Sequence, residues 1–115
     1  MTLLEIENIM RKNKIIYSVV TNLDNGLIET IGNSRDLIED DLVTQLFGDF
    51  KKIKALNDSL EGQIMPQIWS QGVVKCIVCK PNSNIIIGLL YNENRPPLEA
   101  IDFIEEINDE LLKNW

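Results

Sequence analysis

Residues 14–32 read Lys14-Ile-Ile-Tyr-Ser-Val-Val-Thr-Asn-Leu-Asp-Asn-Gly-Leu-Ile-Glu-Thr-Ile-Gly32. Lys14 to Thr21 is short and rich in β-branched residues, the composition of a strand. Asn22-Leu-Asp-Asn-Gly26 is a turn, because Asn, Asp and Gly accept the left-handed backbone that tight turns need. Gly26 to Gly32 returns as a second strand. The stretch is therefore a β-hairpin, and it sets the frame for the segments on either side.

Before the hairpin, Thr2 to about Lys12 reads as a helix. Thr2 and Glu5 have the spacing of a capping box, and Leu3, Ile6, Ile9 and Met10 share one side of the wheel. After it, Asp36 to Glu61 reads as one long helix, with Asp36 and Glu39 as its start signal and Gly62 as its stop. At 100° per residue, Ile38, Leu42, Leu46, Phe50, Ile53, Leu56 and Leu60 form one stripe. Val43 and Phe47 widen it to about half the circumference. A helix packed on one sheet needs an apolar face of only about 100°. The surplus implies a second contact, inside the fold or with a partner.

Gln63 to Trp69 reads as a strand, and Pro66 within it assigns it to a sheet edge. Ser70-Gln-Gly72 is a tight turn. Gly72–Lys80 and Asn84–Asn92 are two further strands, joined by Pro81-Asn-Ser83. Their continuous apolar runs suit strands covered on both faces. Asn94-Arg-Pro-Pro97 breaks the chain and opens a last helix. On it Leu98, Ala100, Ile101, Phe103, Ile104, Ile107, Leu111, Leu112 and Trp115 occupy one half of the wheel. The other half is Glu99, Asp102, Glu105, Glu106, Asp109, Glu110 and Lys113. The order α-β-β-α-β-β-β-α implies an α/β (α+β) sandwich, with a five-stranded, mainly antiparallel sheet between helices.

Composition limits the chemistry. The 115 residues fit a single domain, 1–115, and need no disulfide or metal staple. The chain has no histidine, which removes the usual general base near neutral pH and the commonest metal ligand. Eighteen acidic against 11 basic residues argue against nucleic acid as a partner. The apolar runs are too short to insert into a membrane. The acidic N-terminus is unlike a signal peptide, so a cytoplasmic location is expected.

Each candidate site has a plain structural reading beside it. Cys76 and Cys79 form a C-x-x-C, but within a strand residues three apart face opposite ways, giving two separate buried thiols. With no second cysteine pair, zinc lacks ligands. Glu39, Asp40 and Asp41 complement a helix dipole rather than hold a metal. Gly26 and Gly32 lack the Lys-Ser/Thr of a phosphate loop. Gly88 sits inside a strand, where it admits a close helix or marks a bulge. The acidic half of the last helix is a solvated face before it is a docking face. Trp69 at the edge strand is an interface or core residue, and Trp115 closes the last helix against the sheet. No catalytic, cofactor-binding or metal-ligating residue is assigned.

The element order, the Asp24-Asn-Gly26 turn, the long helix after Gly32, the Ser70-Gln-Gly72 turn and the strand pair ending at Tyr91 together resemble a Roadblock/dynein-light-chain domain. The resemblance covers nearly the whole chain. Longin and profilin domains have a similar sheet but a different order. It implies a homodimer in which the middle helices pack together and the third strands pair. Mapped onto this sequence, that interface is Leu42, Val43, Leu46, Phe47, Phe50, Ile53, Ile64, Ile68 and Trp69. Pro66 would shorten or shift the strand pairing. The resemblance also implies a non-enzymatic regulator, scaffold or adaptor for a small Ras-like GTPase. Bacterial members include GTPase-activating partners in gliding motility, which reposition the GTPase's own residues rather than supply an arginine. Two alternatives stand beside it: a sensory domain holding a small ligand between sheet and helix, and an adaptor subunit of a larger complex without a GTPase.

Overall fold

The computed structural model describes residues 3–115. The order is α1 (Leu3–Asn13), β1 (Tyr17–Asn22), β2 (Ile28–Gly32), a short 3-10 turn (Ser34–Asp36), α2 (Asp41–Phe47), α3 (Phe50–Ser59), β3 (Gln67–Gln71), β4 (Val74–Asn82), β5 (Ile85–Asn92) and α4 (Pro97–Asn114). The five strands form one sheet in the order β2-β1-β5-β4-β3. All four pairings are antiparallel.

The first hairpin forms, but with shorter strands than the expected Lys14–Thr21 and Gly26–Gly32, because the chain is still leaving α1 at Lys14 and the turn extends to Leu27. The Asn22 side-chain oxygen accepts from the Asp24 and Asn25 amides, and Gly26 takes φ +74°. Helix α1 ends where Lys14 adopts a left-handed φ of 57° and the Ile15 amide closes onto the Met10 carbonyl at 2.9 Å. That closure satisfies a carbonyl left over at the helix end. The expected Thr2–Glu5 capping box involves Thr2, which lies outside the described residues.

The long helix expected at Asp36–Glu61 is two helices. Asp36 belongs to the 3-10 turn, which Asn33 caps by accepting from the Arg35 amide at 3.0 Å. Leu37 is then extended, and α2 starts at Asp41. Asp49 interrupts the run with an extended backbone (φ −154°, ψ 172°). Its carboxylate accepts from the Lys52 amide at 2.8 Å, so it is the N-cap of α3. The apolar stripe hid this break because Leu42, Phe47, Ile53, Leu56 and Leu60 are buried on both sides of it.

Three further boundaries move. β3 begins at Gln67, one residue after Pro66, so Pro66 delimits the strand and removes no donor from it. Ser70 and Gln71 pair with Lys75 and Val74, which places the turn at Gly72, φ +58°. β4 runs on to Asn82 through an irregularity between Cys79 and Asn82, and Pro81 falls where the ladder is already broken. The apolar half of α4 is also not all buried. Phe103, Ile107 and Leu111 face the sheet, whereas Leu98, Ile101 and Leu112 are exposed.

The sheet separates two cores. On one side α1 and α4 pack against Val20, Ile77, Cys79, Ile87, Leu89 and Tyr91. On the other, α2 and α3 pack against Val19, Val74, Cys76, Val78, Ile86 and Leu90. Burial pushes the Cys79 thiol up to about 12, and pushes the Cys76 thiol up further, with a smaller contribution from Cys79. Both cysteines are free and lie in different cores.

Gly88 explains how α2 seats. A Cβ at Gly88 would overlap Cε2 and Cζ of Phe47. The Phe47 ring rests directly on the backbone of β5, so the close-approach reading of Gly88 holds.

Candidate interaction surface

β3 is an edge strand: it pairs with β4 on one side and no described strand on the other. Alternation along it divides its side chains. Trp69 lies opposite Cys76 and packs, half-buried, on the α2/α3 core. Ile68 lies opposite Ile77 and packs on the α1/α4 core. Helix α2 runs beside this edge and is tied to it by Gln71, whose amide donates to the Asp41 carboxylate at 2.9 Å. Val43 and Leu46 of α2 are half-buried against the same core as Trp69.

Three exposed apolar residues flank the strand. Ile64, 86% exposed, precedes it. Val73 follows it in the turn. Ile38 stands nearby, because its amide donates to the Asn92 side chain and Asn92 pairs with Val74 beside that turn. Sequence reasoning placed Ile38 in the buried stripe and did not single out Val73. Ile38 is exposed because α2 starts only at Asp41, and Val73 because it lies in the turn between β3 and β4. An open edge with apolar flanks is a template for another strand.

The nine interface candidates therefore divide. Val43, Leu46, Trp69 and Ile64 lie on or beside the β3 edge. Ile68 is on the same strand but on the opposite face. Leu42, Phe47 and Ile53 are buried inside the chain, where their side chains already have neighbours. Phe50 is half-buried over the first hairpin turn, in van der Waals reach of the space beside Gly26. Of the acids at 39–41, Asp41 lies in the first turn of α2, Asp40 precedes it without a side-chain cap, and Glu39 is in the loop.

Arg95 lies half-buried against α4. Its guanidinium lies 3.7 Å from the Phe103 ring centroid and pairs with Glu93 at 2.9 Å. The clefts described on the surface are each about 300 Å³. Among the described residues, no group of three or more Cys, Asp or Glu could hold a metal ion. No helix among them is long and apolar enough to cross a membrane.

The chain matches no protein-family model and no curated protein sequence. It is similar in fold to solved structures of MglB. For MglB of Myxococcus xanthus the TM-score is 0.59 at 11% identity, covering 92% of this chain and 87% of that one. A structure of MglB with a tetrameric arrangement gives 0.56 at 12% identity, covering 93% and 82%. The gliding protein MglB of Thermus thermophilus gives 0.54 at 14% identity, also covering 93% and 82%. The fold is the roadblock-like one.

Proposed function

We propose that this chain is a homodimeric, non-enzymatic regulator or scaffold of a small Ras-like GTPase, acting in the cytoplasm. One observation carries the dimer: the open β3 edge, with Ile64, Ile38 and Val73 exposed around it. An unprotected apolar edge in a soluble monomer is an aggregation site unless a defined partner covers it. A second copy, placing its β3 antiparallel to this one, continues the sheet by a two-fold operation. The GTPase reading rests on the Roadblock resemblance and on the shared fold with MglB, described as a gliding protein.

Sedimentation at micromolar concentration tests the assembly. The chain should sediment as a dimer. Ile64→Glu changes a residue that is 86% exposed, so folding survives while the dimer weakens. A wild-type monomer refutes the dimer. For the second part, GTP hydrolysis and nucleotide exchange by a Ras-like GTPase of the same organism are measured with saturating dimer. A dimer that neither binds nor alters the GTPase refutes the regulatory reading.

A further inference from the structure

On the α1/α4 side of the sheet, far from the β3 edge, the N-terminal turn of α1, the β1–β2 hairpin and the end of α4 enclose a cleft of about 320 Å³. That is at the small end of the range for ligand sites. Its apolar wall includes Leu3, Ile6, Leu27 and Trp115. Leu27 is 53% exposed at its mouth, and Trp115 is half-buried. Two polar side chains converge on it, Asn22 and Glu29.

Glu29 pairs through its backbone with Val20, which faces α1, so its carboxylate is held on the cleft side. It makes no ion pair or side-chain hydrogen bond with a described residue. The Asn22 side-chain oxygen is committed to the Asp24 and Asn25 amides. The cleft therefore offers a ligand the Glu29 carboxylate and the Asn22 side-chain N–H beside an indole and aliphatic side chains. A carboxylate favours a cation, and an aromatic face adds cation–π attraction.

We infer that this cleft is a binding site for a small organic amine with an apolar body, an aryl- or alkylammonium ion. The ammonium group meets Glu29, and the body lies against Leu3, Leu27 and Trp115. At about 320 Å³ the cleft is too small for a helix or strand, so a free small molecule is its occupant rather than a protein segment.

Two-dimensional amide NMR of the wild-type chain, titrated with 2-phenylethylammonium, tests this. The Trp115 indole N–H and the amides of Val20, Asn22 and Glu29 should shift saturably. The Trp69 indole, on the other face of the sheet, stays still. Glu29→Gln, checked by circular dichroism, should weaken binding about tenfold or more, the loss of one charge-assisted contact. Phenylacetate, which has the same body with the opposite charge, should not bind. The proposal is overturned by the absence of saturable shifts, by equal binding of phenylacetate, by an unaffected Glu29→Gln variant, or by shifts confined to the acidic face of α4.

Discussion

Replacing Gly88 with alanine tests how α2 sits on the sheet. Gly88 lies mid-strand in β5, between Val19 of β1 and Val78 of β4. Its φ is not positive, so alanine meets no backbone strain. On entropy alone the change stabilises a strand by roughly 0.5–1 kcal/mol. Against that, the new methyl group overlaps two carbons of the Phe47 ring. Phe47 is 5% exposed and ends α2, so the ring cannot swing into solvent without moving the helix. Overpacking of a filled core costs roughly 1–3 kcal/mol, and a direct ring overlap belongs in the upper half of that range. The steric cost wins, leaving a net loss of roughly 1–2 kcal/mol. Urea denaturation at fixed protein concentration, followed by far-UV circular dichroism, should show the midpoint falling by roughly 0.5–1 M. Phe47→Leu in the same background should recover part of the loss, with a coupling above roughly 0.5 kcal/mol. A midpoint that rises, or strict additivity of the two substitutions, refutes the contact.

Lys14→Gly should stabilise the chain by roughly 0.5–1 kcal/mol. Lys14 is exposed and left-handed, a conformation costing an L-residue roughly 1–2 kcal/mol, and glycine gives back part of that gain as chain entropy. An unchanged or lower midpoint contradicts that reading of the α1 terminus. The buried thiols predict a pH dependence. Their folded pKa values are raised from the ordinary 9.0, to about 12 for Cys79. A raised pKa contributes stability below the unfolded value and loses it above, so the midpoint should hold to about pH 9 and fall towards pH 12 as the unfolded thiols ionise. Replacing both cysteines with alanine should make that fall shallower; an equally steep fall shows that the thiols are not its source. Native Cys76 and Cys79 should also resist a thiol reagent that labels both in urea.

Much of the architecture was legible because it depends on local rules. The Asn22–Gly26 turn has its left-handed residues in place, and β4 and β5 have the apolar runs that suit strands covered on both faces. What misled was the middle segment. Periodicity counts angular position and is blind to a short interruption, so Asp49 passed as one more polar residue between Leu46 and Ile53. Its side chain caps a new helix, and only the Gly48-Asp49 pair hints at it. The edge position expected of β3 holds, but not for the expected reason, since Pro66 stands before the strand and removes no donor from it. The over-wide arc on the middle segment was accounted for in part by the chain itself, since Leu42, Phe47 and Ile53 turn inward. On α4 the excess runs the other way, because Leu98, Ile101 and Leu112 face solvent. Which apolar residues on a wide arc are buried depends on what stands beside the helix, and no wheel contains that.

The division of the interior by the sheet constrains how this chain can change over generations. Along β5 the side chains of Ile86 and Leu90 serve one core and those of Ile87, Leu89 and Tyr91 the other. Exchanging one aliphatic residue for another at these positions leaves the alternation intact. Inserting or deleting a single residue does not: every side chain beyond it crosses to the wrong side, and both interiors fail together. The same shift would slide Gly88 from beneath Phe47 and put a branched side chain there. Strand length is thus held more tightly than strand identity. Lineages carrying this domain should diverge freely by substitution within β5, while gains and losses of residues collect in connections such as residues 61–66.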